Sequence, residues 1–167
     1  MIFATVGTHE QPFNRLVECL DNLKKNGTIK EKIIIQTGYS TYKLQYCEGK
    51  DFFSYQEMIN LVAEARIVIT HGGPSSFIMP LQFGKIPIVV PRKYEFNEHV
   101  NDHQVLFTKT VAERMENIIV VENIIELGIT ILNYDAIVRK LRNKLQSNNA
   151  KFNREFENIV NTMFEVK

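Results

Sequence analysis

Apolar residues fall along this chain in two alternating rhythms: short β-branched runs, and longer stretches at helical spacing. The short runs at 2–6, 33–36, 67–70 and 86–90 are almost wholly apolar, which predicts strands buried on both faces. Between them, Phe13, Leu16, Val17, Leu20 and Leu23 share one face of a helix expected over 12–25 and stopped near Gly27. Met58, Ile59, Leu61 and Val62 mark the inner face of a second helix over 55–65. A helical pattern at 77–83 closes at Gly84, and further helices are expected over 101–116, 123–132, 134–145 and 151–165, with a turn at Ser147, Asn148 and Asn149. Residues 118–121 read as a late strand, and 51–53 as a short third strand after a polar, tyrosine-rich loop. Strands alternating with helices predict an α/β fold, a parallel sheet with helices on both faces.

The densest chemistry lies where one strand meets the next helix, at Thr70-His71-Gly72-Gly73-Pro74-Ser75-Ser76. Glycines there let a backbone approach a ligand closely, and amides and hydroxyls at a helix N-terminus favour an anion. A diphosphate cradle is the simplest chemical reading; a tight connection would use the same residues. After the following strand comes 91–104, a polar loop at the sheet edge where open α/β folds place their ligands. Its side chains suit sugar hydroxyls, so cradle and loop together suggest a nucleotide sugar. Pro80 falls inside the expected helix, where it removes a backbone hydrogen bond and predicts a bend.

The runs His71-Gly72-Gly73-Pro74-Ser75-Ser76, Gly84-Lys85-Ile86-Pro87-Ile88-Val89-Val90-Pro91-Arg92 and Glu98-His99-Val100-Asn101-Asp102-His103-Gln104 resemble the C-terminal, donor-binding domain of family 28 glycosyltransferases. Thr5-Val6-Gly7-Thr8 and Gln36-Thr37-Gly38 extend the likeness, which covers about residues 1–127. In particular the chain resembles stand-alone bacterial versions used in capsular and exopolysaccharide assembly. These are similar to the catalytic subunit of the eukaryotic two-subunit N-acetylglucosaminyl-diphosphodolichol synthase. The resemblance implies a Rossmann-like sheet equivalent to the C-terminal half of a GT-B glycosyltransferase. One domain is expected over 1–167, with 134–167 a helical extension.

That likeness also implies an inverting transfer from a UDP-sugar, with UDP-galactose or UDP-N-acetylglucosamine as donor and a lipid-linked oligosaccharide as acceptor. Donor contacts are expected at Gly7, Thr8, Gln36, Gly38, Ser54, Tyr55, Gly72, Gly73, Ser75, Ser76, Glu98, His99, Asp102, His103 and Gln104. His71 is expected to stabilise the departing diphosphate, or else to be a structural histidine tied to backbone. His9 is a second catalytic candidate, and a loop histidine with no role is its alternative. Asn101 or Asp102 would equally suit a helix cap. Many relatives carry a glutamate for the ribose hydroxyls where this chain has Met79, which leaves ribose recognition open.

Length and charge fit one globular domain. With 20 basic and 19 acidic side chains in 167 residues the charge nearly cancels, against a nucleic-acid partner. No apolar run is long enough to span a bilayer, and the N-terminus carries no signal-peptide pattern. Cys19 and Cys47 read as free thiols in a reducing cytosol. No Asp-x-Asp triplet occurs and the histidines are not spaced for a metal, so no metal or cofactor is expected.

GT-B enzymes divide donor and acceptor between two such domains, and this chain has length for one. The resemblance therefore implies a membrane-associated acceptor-binding partner, which would recruit this cytoplasmic chain to the inner face of the membrane. Phe152, Phe156, Ile159, Val160, Met163 and Phe164 form a helical apolar face for that docking or for packing on the domain's own core. Two other readings stay open, a non-catalytic scaffolding or regulatory subunit and a dinucleotide-binding enzyme. Gly7-Thr8-His9-Glu10 lacks the G-x-G-x-x-G spacing the latter needs.

Overall fold

A computed structural model describes residues 1–142 and 149–164. Six parallel strands form one sheet: β1 (Ile2–Thr5), β2 (Ile33–Gln36), β3 (Glu48–Lys50), β4 (Ile67–His71), β5 (Ile88–Val90) and β6 (Ile119–Val120), in the order β3-β2-β1-β4-β5-β6. The helices are α1 (Asn14–Lys25), α2 (Tyr55–Glu64), α3 (Pro74–Gln82), α4 (His103–Met115), α5 (Leu127–Leu132), α6 (Tyr134–Arg142) and α7 (Asn149–Phe164). This is the α/β, Rossmann-like arrangement expected of the C-terminal half of a GT-B glycosyltransferase. The turn expected at 147–149 lies mostly outside the described residues, and Asn149 opens α7.

Both sheet faces are covered, which explains the uninterrupted apolar strands. Ile2, Ala4, Ile33, Ile35, Ile67, Ile69 and Ile88 pack with Leu16, Leu20, Leu127, Ile131 and Val138 of α1, α5 and α6. Phe3 and Val68 face the other way, against Val62 of α2, and Val89 meets Phe77 of α3. Alternate residues of the central strands thus serve two cores.

The third strand is Glu48–Lys50, not 51–53. Its residues are exposed and polar, as suits an edge strand that must resist further pairing. Gly49 is required there, because a Cβ would lie 2.1 Å from the Ile35 carbonyl oxygen. Residues 51–53 instead turn back toward β2, with the Phe53 N–H donating to Gln36 Oε1 at 3.1 Å. The α3 helix runs through Pro80 to Gln82.

The tyrosine-rich loop is pinned by one buried carboxylate on α1. Asp21 accepts from the N–H groups of Tyr46 (2.9 Å), Cys47 (2.8 Å) and Gln45 (3.1 Å), and from the Tyr42 hydroxyl (3.1 Å). Burial alone would raise its pKa, but the donors from Tyr46, Cys47 and Gln45 outweigh it and hold the carboxyl below the usual range. Asp21→Ala strands these donors, so a loss of about 3 kcal/mol in urea unfolding is expected. An unchanged midpoint would show that the loop contributes nothing to global stability.

Candidate active site

β1 lies between β2 and β4, so the chain leaves it toward one side of the sheet and returns on the other. At such a switch point the loops diverge and leave a crevice beyond the strand ends. Here it is a cleft of about 740 Å³. Thr5, Gly7, Thr8, His9, Glu10, Gln36, His71, Ser75, Ser76, His99 and Gln104 supply its polar lining, while Phe53, Met58, Val62, Val68 and Met79 supply the apolar lining.

His71 ends β4, and glycines flank its ring. A Cβ on Gly7 would lie 2.3 Å from His71 Nε2, and one on Gly73 would lie 2.2 Å from its Cε1. These glycines make room for a protein side chain. His71 Nδ1 accepts from the Gly73 N–H at 3.0 Å, and Nε2 lies 2.8 Å from Ser76 Oγ. A neutral ring that accepts at Nδ1 carries its proton on Nε2, which therefore donates to Ser76. Burial, reinforced by the charge of Arg92, pushes the His71 pKa down to about 4 and keeps the ring neutral near pH 7.

The wall beside His71 is held by α4 and by the loop before it. Gln104 is buried, and its Oε1 accepts from the N–H groups of Gly72 (3.0 Å) and Arg92 (3.1 Å). A Cβ on Gly72 would lie 2.9 Å from that side chain. Arg92 is fully buried, and its guanidinium donates to the carbonyls of Val6 (2.8 Å), Gln11 (2.7 Å) and Glu98 (3.0 Å). His9 and His99 stack with centroids 4.7 Å apart, and His99 meets His103 edge-on at 4.5 Å. Burial, then the neighbouring His103, His9 and Arg92, lowers the His99 pKa. Among the described residues, no group of three or more His, Cys, Asp or Glu side chains is placed to hold a metal ion.

The sequence profile described as "Glycosyltransferase family 28 C-terminal domain" matches residues 1–163. The chain belongs to that family. The glycosyltransferase SnogD from Streptomyces nogalater has a similar structure, with TM-score 0.57 and 15% identity over 84% of this chain and 36% of that one. The glycotransferase of kitacinnamycin is similar at TM-score 0.58 and 15% identity, over 85% of this chain and 37% of that one. At this identity the two structures speak for the fold, and the chain spans little more than a third of their length. No match was found among curated proteins.

In this family 28 domain the expected site residues divide in two. Gly7, Thr8, His9, Gln36, His71, Ser75, Ser76, His99 and Gln104 line the cleft. Gly38, Ser54, Tyr55, Gly72, Gly73, Glu98, Asp102 and His103 are outside its lining and several have other partners. Ser54 forms a capping box with Glu57 at the start of α2, and Tyr55 is exposed beside it. Gly38, at φ +54°, abuts the Gly7 carbonyl. Glu98 is buried against Arg15, with Oε2 2.8 Å from its terminal nitrogen. Asp102 accepts from the Tyr94 N–H, while Asn101 Oδ1 takes the His103 N–H at the head of α4.

The lining also includes residues that motif reading passed over. Met58, Val62 and Val68 have no polar chemistry to flag them; Phe53 and Met79, the latter where many relatives carry a glutamate, line the cleft beside them. Gln36 is tied at both ends, donating to Thr5 Oγ1 at 3.0 Å and accepting from Phe53.

Proposed function

We propose that this chain is the catalytic, donor-binding subunit of an inverting UDP-sugar glycosyltransferase. The observation that carries the reading is the division of the cleft: an apolar group suited to a pyrimidine ring, and a polar group at the start of α3 suited to a diphosphate. Galactosyl or N-acetylglucosaminyl transfer to a lipid-linked oligosaccharide, in capsular or exopolysaccharide assembly, is the form the subfamily likeness supports. A membrane-associated acceptor-binding subunit would complete the cleft, in keeping with a match that covers little more than a third of the glycosyltransferases similar in fold. Among the described residues no helix is long and apolar enough to cross a membrane. On α7, Phe156, Ile159 and Met163 are exposed, and Ile159 and Met163 suit such docking; the side chains of Phe152 and Phe164 lie outside the described residues.

In this mechanism the acceptor hydroxyl displaces UDP at the anomeric carbon, and negative charge grows on the leaving phosphate. His71 is neutral, so it acts as a hydrogen-bond donor and not as a proton donor. Its Nε2–H donates to Ser76 Oγ, which frees the Ser76 hydroxyl proton for a phosphate oxygen. The partner subunit would supply the general base.

Calorimetric titration with UDP tests this reading. Saturable binding is expected, with none for NAD, and His71→Ala should weaken UDP about tenfold for the lost hydrogen-bond relay. If UDP fails to bind both the chain alone and its complex with the partner, the donor role falls and a scaffolding role takes its place.

A further inference from the structure

Arg92 is the largest of the fully buried side chains, and it lies behind the cleft wall without lining it. One terminal nitrogen donates to Val6 O, and the other to Gln11 O and Glu98 O. Its guanidinium also sits 4.8 Å from the centroid of the Phe13 ring. Every acceptor is a neutral carbonyl, and Nε has no hydrogen-bond partner among the described residues. The nearby Glu98 carboxylate is bound to Arg15 Nε and terminal nitrogen, at 2.9 and 2.8 Å, and to the Lys93 N–H.

Joining loops alone does not call for this chemistry. A buried ion is costly to desolvate, and an apolar side chain of similar volume fills such a space as well or better. The charge is felt on the other side of the wall, where it disfavours protonation of His71 and His99. Glu10 is the acidic side chain among the lining residues, and it is exposed.

We propose that Arg92 is a positioning residue whose buried charge acts through the cleft wall to make the polar lining select a diphosphate over a less charged nucleotide. Its carbonyl ties hold the loop of Gly7 and His9 against the loop of His99, and its field sets the charge preference of the space between them. The inference rests on the nucleotide reading above.

The test compares calorimetric affinities for UDP and UMP in the wild type, Arg92→Gln and Arg92→Lys, with circular dichroism to confirm folding. The wild type should prefer UDP. Arg92→Gln should lose about tenfold of that preference, the size expected of one unit charge acting across roughly 10 Å at an effective dielectric of about 20. Arg92→Lys should keep the preference within about twofold, because the charge remains. A purely structural role would weaken both nucleotides equally, so an unchanged UDP-to-UMP ratio in folded Arg92→Gln overturns the proposal. If the glutamine variant does not fold, a collapsed ratio in folded Arg92→Lys overturns it. A wild type that binds both nucleotides without preferring UDP removes the Arg92 proposal alone; one that binds neither removes the nucleotide reading with it.

Discussion

Gly7→Ala should destabilise the protein by about 3 kcal/mol and abolish measurable nucleotide binding. Two independent costs act at this position. The backbone sits at φ +77°, in the left-handed region where any residue with a Cβ loses of order 1 kcal/mol. The added methyl carbon would also stand 2.3 Å from His71 Nε2, far inside contact distance. The ring has little room to swing away, because the Gly73 backbone crowds it too: a Cβ there would lie 2.2 Å from His71 Cε1. The variant must therefore move β1's exit or push His71 off Ser76, and either change dismantles the polar lining. Urea unfolding and UDP calorimetry measure the two effects. Near-wild-type stability with full binding would mean that the His71 ring is loosely held.

The second large effect is a loss of stability in mild acid. An unfolded histidine titrates near 6.5, whereas in the fold burial and the Arg92 charge push His71 down to about 4. Between those values the unfolded chain holds the extra proton, so stability falls as pH drops through that window and is restored above it. For His71 the loss amounts to about 2 kcal/mol between pH 7 and pH 5. His99 is lowered as well and adds in the same direction. Carboxylates held low by their partners, Asp21 and Glu31 among them, act only at more acid pH. Urea midpoints across pH 5–7 should slope for the wild type and flatten in His71→Gln. Equal slopes would show that His71 is not the group responsible.

The strands of the sheet centre were legible because burial on both faces makes them wholly apolar, as at Ile67, Val68 and Ile69. The edge strand was not, since Glu48, Gly49 and Lys50 meet solvent and carry no apolar signal. The cleft's place was legible from the glycine turn, but the work of its glycines was not: Gly7 and Gly73 accommodate an imidazole and Gly72 accommodates Gln104. The pairs Gly7 with His71 and Gly72 with Gln104 join residues tens of positions apart, which local pattern does not encode. Arg92 was read only as part of a motif, because an arginine is ordinarily solvated and nothing nearby in sequence announces its burial. Likewise Asp21, on a helix face of leucines and valines, gains its meaning from a loop more than twenty residues later.

The central position of β1 also constrains the order in which the molecule can be assembled. β1 is the first strand made, yet its second neighbour, β4, joins it through Ile2 opposite Ile67, and the clasp of Arg15 on Glu98 closes 83 positions apart. A growing chain that has reached the end of α2 can pair β1 with β2 but has only one bank of the cleft. The other bank arrives with His71, Arg92 and Gln104, and until then the apolar edge of β1 faces no strand. The ligand-binding part of this domain is thus completed only once β4, β5 and the head of α4 have been made, by contacts of long sequence separation, and depends on the unfinished sheet avoiding other partners in the meantime.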